Sequence, residues 1–113
     1  MIDGIGIDVV DIGRFIESLE RTPNLAEKLF TKSERTQSPQ SLAARFAAKE
    51  ALYKALSPDH GLNWHDAEII SQLNGKPEFL FRGDIATLVD GAKVHLSLSH
   101  DAGIASAMVV IER

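Results

Sequence analysis

The chain has 113 residues, 44% of them hydrophobic and 25% charged, a composition suited to one folded domain with a real core across residues 1–113. Its 12 lysines and arginines against 16 aspartates and glutamates leave a net charge of −4, which argues against a dedicated nucleic-acid binder but leaves room for a local basic patch facing an anionic ligand. There is no cysteine, which excludes disulfides, thiolate catalysis and cysteine-held zinc or iron–sulfur centres, and no apolar run approaches the roughly 20 residues of a membrane span.

The first stretch, MIDGIGIDVV, has no basic region ahead of its apolar residues and carries aspartates among them, so it reads as part of the fold and not as a secretory signal. With the missing cysteines, this points to a cytoplasmic protein. Residues 2–10 alternate as a strand, with Ile5, Ile7 and Val9 on one face and Gly6, Asp8 and Val10 on the other. Asp11 is placed to cap a helix over 12–21 that Pro23 stops. In that helix Ile12, Phe15, Ile16 and Leu19 form the inward stripe, and Arg14, Glu17, Ser18 and Arg21 the outward one. A short helical turn over 25–30 follows. Thr31-Lys32-Ser33-Glu34 then matches a capping box, and Ser38-Pro39 reads as N-cap and first helical residue of a long helix ending near Ser57-Pro58.

Beyond the loop Ser57-Pro58-Asp59-His60-Gly61 the hydrophobic period changes to two. Residues 68–73 and 78–81 flank Asn74-Gly75-Lys76-Pro77 as a hairpin. A short helix over 84–90 is followed by Gly91, and strands over 93–100 and 104–111 flank Asp101-Ala102-Gly103. Strand, helices, then hairpins broken by one helix describe an α+β domain, with a mainly antiparallel sheet packed on the long helix.

That helix poses the main question. Leu42, Phe46, Leu52, Tyr53 and Leu56 cover one broad arc, and Ala43, Ala47, Ala51 and Ala55 form an unbroken i, i+4 line, so it has no wide polar face and should be buried. Yet it carries Arg45, Lys49, Glu50 and Lys54, and unpaired buried charges are costly. The alanine line suits close approach by another backbone, for which Gly4 and Gly6 make the first strand the natural candidate.

Two readings stand for its carboxylates. Asp8 is either an edge-strand aspartate turned to water or a ligand, in an element where aspartate is uncommon. Glu50 either pairs with Lys54 at i+4 or is a ligand. If the alanine line packs on the first strand, Asp8 and Glu50 converge on one divalent cation, and two carboxylates suit magnesium completed by water and phosphate oxygens. Lys54, Arg45 and Lys49 would then face the same anion. His100, at a strand end, is either a surface residue or part of a site there.

Three blocks together, GIGIDVVDIGRF (4–15), SLAARFAAKEALYKAL (41–56) and VHLSLSHDAGIASAMVVIE (94–112), resemble the holo-acyl-carrier-protein synthases, the small single-domain branch of the 4′-phosphopantetheinyl transferases; NGKP (74–77) fits the same pattern. The resemblance implies transfer of the phosphopantetheine arm of coenzyme A to a serine of apo acyl carrier protein, releasing adenosine 3′,5′-bisphosphate, in fatty acid biosynthesis. It implies Asp8 and Glu50 as magnesium ligands. Lys54 would lie on the coenzyme A pyrophosphate, able to neutralise or protonate the leaving group, with Arg45 and His100 near the nucleotide 3′-phosphate. It implies Arg14, extended by Arg21 and Lys28, as the basic surface for the carrier protein's acidic helix. Either Glu50 or a water on the metal takes the serine proton. It also implies a homotrimer with sites between subunits. The loop Ser57–Gly61, with one glycine, departs from the family's glycine-rich segment. Two other classes share parts of this pattern: a magnesium-dependent hydrolase of a nucleotide diphosphate, and a non-catalytic module that binds coenzyme A or carrier protein.

Overall fold

A computed structural model describes residues 1–56, 61 and 63–113. Strand β1 (Ile2–Asp11) leads into α1 (Ile12–Arg21) and α2 (Leu25–Leu29). A 3₁₀ turn at Glu34–Thr36 precedes the long helix α3 (Pro39–Leu56), and a second 3₁₀ turn covers Trp64–Asp66. Hairpin β2 (Ala67–Ser71) and β3 (Pro77–Phe81), helix α4 (Gly83–Leu88), and hairpin β4 (Lys93–Asp101) and β5 (Ile104–Glu112) complete the chain. Residues 57–60 of the loop expected after α3 lie outside the described residues.

Local chemistry sets most boundaries. Asp11 Oδ1 accepts the Arg14 amide at 2.9 Å, capping α1. Ser38 Oγ accepts the Ser41 amide at 3.2 Å, and Pro39 opens α3 where a missing amide hydrogen is harmless. The capping box is reciprocal: Glu34 Oε1 accepts from Thr31 N and Thr31 Oγ1 from Glu34 N. Helix α4 starts one residue earlier and ends two earlier than its sequence pattern predicts, because the chain turns through Val89 and Asp90 before Gly91, whose φ is 75°.

The strands form two antiparallel sheets, β1-β5-β4 and β2-β3. The first strand thus joins the last hairpin, with Ile7 opposite Met108 and Asp8 opposite Ala107. Helix α3 packs across β1 and β5. Ala43, Ala47, Ala51 and Ala55 are buried, as are Ala105, Ala107, Val109 and Ile111 facing them from β5. The approach to β1 is so close that a Cβ on Gly6 would collide with the Ala51 carbonyl oxygen, and one on Gly4 with that of Ala55. Small residues on both elements therefore set the helix–strand distance. The other face of β1 is apolar and uncovered: Ile5, Ile7 and Val9 are 61%, 58% and 61% exposed.

Candidate active site

Strand alternation puts Asp8 on the side of Gly6 and Val10, toward α3. The pairing of Gly6 with Ala51 and Gly4 with Ala55 runs α3 antiparallel to β1, so Asp8 comes level with the turn of α3 that carries Phe46 and Glu50. Asp8, Asp11, Arg14, Phe15, Phe46 and Glu50 line one cavity of about 310 Å³. The Asp8 side chain is only 15% exposed, which disposes of a strand aspartate turned freely to water.

Lys54 crosses from α3 to β1. Its Nζ donates to Asp8 Oδ1 at 3.0 Å and to the Ile7 carbonyl at 2.9 Å. Burial, and next the Asp8 carboxylate, push the Glu50 carboxyl above its ordinary value, while Lys54 pulls it down. Two hard oxygen donors that repel each other across a cavity fit a divalent cation. They could hold magnesium, which uses one or two carboxylates and retains water. Among the described residues no group of three or more His, Cys, Asp or Glu is placed to hold a metal ion, at this cavity or elsewhere.

The sequence profile of the 4′-phosphopantetheinyl transferase superfamily matches residues 4–106. The chain belongs to that superfamily. A holo-[acyl-carrier-protein] synthase of Leifsonia xyli subsp. xyli is 55% identical to this phosphopantetheinyl transferase over 116 residues, covering 100% of the chain and 98% of the relative. One from Beutenbergia cavernae is 53% identical with 100% of both covered. Among solved structures, the synthase of Neisseria meningitidis matches with a TM-score of 0.88 at 31% identity, covering 100% of each chain. A synthase–coenzyme A complex described as from Chronobacterium ammoniagenes matches with a TM-score of 0.86 at 30% identity, covering 96% of each.

The transferase chain gathers only part of the expected residue set. Asp8, Glu50, Lys54 and Arg14 meet at or beside the cavity. Arg21 is exposed in the last turn of α1. Arg45 and His100 do not line the cavity. Arg45 is buried; its guanidinium donates to Ser41 Oγ, and its Nε has no acceptor among the described residues. Burial lowers its pKa, with Glu34 opposing. His100 is exposed at the end of β4, opposite Ala105.

Lys49 differs from the anion-facing role that its place beside Glu50 suggests. Its Nζ is buried and pairs with Glu34 at 2.8 Å, so it is turned away from any phosphate. Sequence reasoning also passed over Phe46. Its ring stacks on Phe15 at 5.0 Å and meets Trp64 at 5.7 Å, forming an aromatic wall beside Glu50. The signal was present, since Phe46 and Glu50 are four apart on one face of a helix.

Proposed function

We propose that this chain is a holo-[acyl-carrier-protein] synthase. It moves the 4′-phosphopantetheine arm of coenzyme A onto a serine of apo acyl carrier protein and releases adenosine 3′,5′-bisphosphate, serving fatty acid biosynthesis. The observation that carries this reading is the meeting of Asp8 from β1, Glu50 from α3 and Lys54 in and beside one cavity, in a member of this superfamily. Residues 1–113 act as one domain. No helix among the described residues is long and apolar enough to cross a membrane. The proposed place of work is the cytoplasm, with coenzyme A and the carrier protein as partners.

Asp8 and Glu50 would hold magnesium, which when bound offsets charge on the diphosphate. The serine hydroxyl oxygen forms the new bond to the phosphorus bearing the pantetheine arm. The bond from that phosphorus to the bridging oxygen breaks, and the bridging oxygen leaves with the nucleotide. Glu50, facing Asp8 across the cavity, accepts the serine proton. Lys54 is 54% exposed and reaches over the cavity edge, so its ammonium can turn to the leaving oxygen, as a charge or as a proton donor. Phosphoryl transfer needs mainly such positioning and charge, and the nucleophile comes from the partner. Arg14 and Arg21, exposed along α1, receive the acidic helix of the carrier protein.

Arg45 and His100 bind the nucleotide end of coenzyme A. They stand apart from the Asp8 cavity, which favours a site shared between neighbouring subunits of a homotrimer. The exposed face of Ile5, Ile7 and Val9, continued by Met108 on β5, supports such an assembly. Covering it would contribute about 1–2 kcal/mol per side chain.

Intact-mass measurement of an apo carrier protein incubated with this protein and coenzyme A, with and without magnesium, tests the reading. A phosphopantetheine mass added only with metal supports it. No addition, with both ligands shown to bind, leaves a non-catalytic binding module. Coenzyme A consumed without carrier protein indicates a hydrolase.

A further inference from the structure

The buried charged side chains among the described residues are Glu34, Arg45, Lys49 and Glu68, and none lines the Asp8–Glu50 cavity. They form one cluster around Lys49, which feels the charge of the other three. At its centre Glu34 joins several elements. Its Oε1 accepts Lys49 Nζ at 2.8 Å and Thr31 N at 3.0 Å, and its Oε2 accepts Ile69 N from β2 at 3.0 Å. Lys49 Nζ also donates to the Trp64 carbonyl at 2.9 Å and stands 5.5 Å from the Phe30 ring centre. Both side chains are 1% exposed.

Such a pair is a poor device for stability alone. Removing both charges from water offsets much of their attraction, and apolar side chains of similar volume can hold a core equally well. Directional bonds do something apolar contacts cannot: they select one rotation of a helix. Helix α3 needs that selection, because Ala43, Ala47, Ala48, Ala51 and Ala55 make its buried small-residue face broad, so that packing on β1 and β5 fixes the rotation about its axis only coarsely. Gly4 and Gly6 set how close α3 lies to β1. Lys49, held by the Trp64 carbonyl and by Glu34, which is itself bonded to β2 through Ile69 N, fixes how α3 is turned. Glu50 is the next residue, one hundred degrees on by helical geometry, so its direction follows from that of Lys49. A turn of about 20° would swing a carboxylate at helix-surface radius by on the order of 2 Å. Displacements of that size matter, since a shift of about 1 Å in a reacting group can reduce rate by roughly a hundredfold.

We infer that Glu34 and Lys49 are positioning residues for the transfer reaction, holding α3 in the rotation that aims Glu50 at Asp8. The inference rests on the assignment of Glu50 to the metal and the serine proton.

The test is the double variant Glu34→Gln/Lys49→Met, which removes both charges and nearly preserves volume. Near-ultraviolet circular dichroism and thermal unfolding report the fold. Calorimetric titration with magnesium chloride in the presence of adenosine 3′,5′-bisphosphate reports the metal site. Steady-state transfer to apo carrier protein gives kcat and KM. A folded double variant should lose about ten- to a hundredfold in kcat and in magnesium affinity, with KM for coenzyme A within about twofold of wild type. A folded double variant with wild-type kcat and magnesium affinity overturns the inference. If the double variant does not fold, Lys49→Arg takes its place: the longer cation should lower kcat, and the shorter partner in Glu34→Asp/Lys49→Arg should restore part of it. Undiminished kcat in Lys49→Arg, or no recovery on shortening the partner, overturns the positioning role. Wild-type protein that transfers the arm but binds no magnesium overturns the metal assignment beneath it, and is recognised before any variant is made.

Discussion

Lys54 Nζ lies 3.0 Å from Asp8 Oδ1, so a lysine near the end of α3 neutralises an aspartate in the middle of β1, 46 positions away in sequence. The contact also bonds Ile7's carbonyl and puts an ammonium beside two carboxylates. Because the Lys54 side chain is 54% exposed, the pair contributes at most about 1 kcal/mol to stability. Its value is therefore chemical.

That separation of roles can be measured. Asp8→Asn and Glu50→Gln should each reduce phosphopantetheine transfer by at least about a hundredfold, while thermal midpoints stay within a few degrees, about 1 kcal/mol, of wild type. Mass spectrometry of the carrier protein and thermal unfolding check the two halves. Transfer at the wild-type rate by either variant would remove its residue from the metal site.

Glu50 should also leave a signature in metal-free protein. Its carboxyl is raised above the ordinary value of 4.5, first by burial and then by Asp8. The folded chain thus holds this proton more tightly than the unfolded chain, and the Glu50 contribution to stability falls as pH rises from that value through the folded one. Denaturant unfolding of wild type and Glu50→Gln between about pH 4 and 8 should show a shallower decline for the variant. Parallel curves would show that Glu50 does not titrate against this environment.

The glycine seat of α3 is sterically committed. Gly6→Ala should destabilise by about 1–3 kcal/mol or more, because the new methyl meets the backbone carbonyl of Ala51 and not a side chain that can swing aside. Chemical denaturation checks this, and transfer should fall with stability as β1 and Asp8 are pushed off α3. A variant as stable as wild type would contradict the close backbone approach.

Arg14 is exposed yet borders the cavity. Arg14→Glu should raise KM for the carrier protein about tenfold or more at low salt and much less near 1 M salt, with coenzyme A affinity unchanged. A change confined to coenzyme A binding would reassign this residue.

The last hairpin turns through two left-handed residues, Ala102 at φ 51° and Gly103 at φ 79°. Gly103→Val should cost about 1–2 kcal/mol or more and Ala102→Gly should stabilise by roughly 1 kcal/mol. Since Gly103 O accepts the Ile12 amide at 2.9 Å, the valine variant should also disturb the start of α1, visible as changed amide shifts there.

How much of this was legible in the sequence depended on distance along the chain. The caps of α1 and α3, the capping box at Thr31–Glu34, the hairpin turns and the alanine line along α3 all follow from residues that are neighbours in sequence or share one element's periodicity. Backbone geometry makes those choices locally, so residue type and spacing suffice. The tertiary structure decided which cations are site residues and which are core. Lys49 and Lys54 look alike on one helix, but packing sends the first to Glu34 and the second to Asp8. It also turned the apolar side of β1 outward, because glycine, not isoleucine, fits against α3. Charge partners and exposed faces are settled by which surfaces meet after folding, and a one-dimensional pattern carries no record of that meeting.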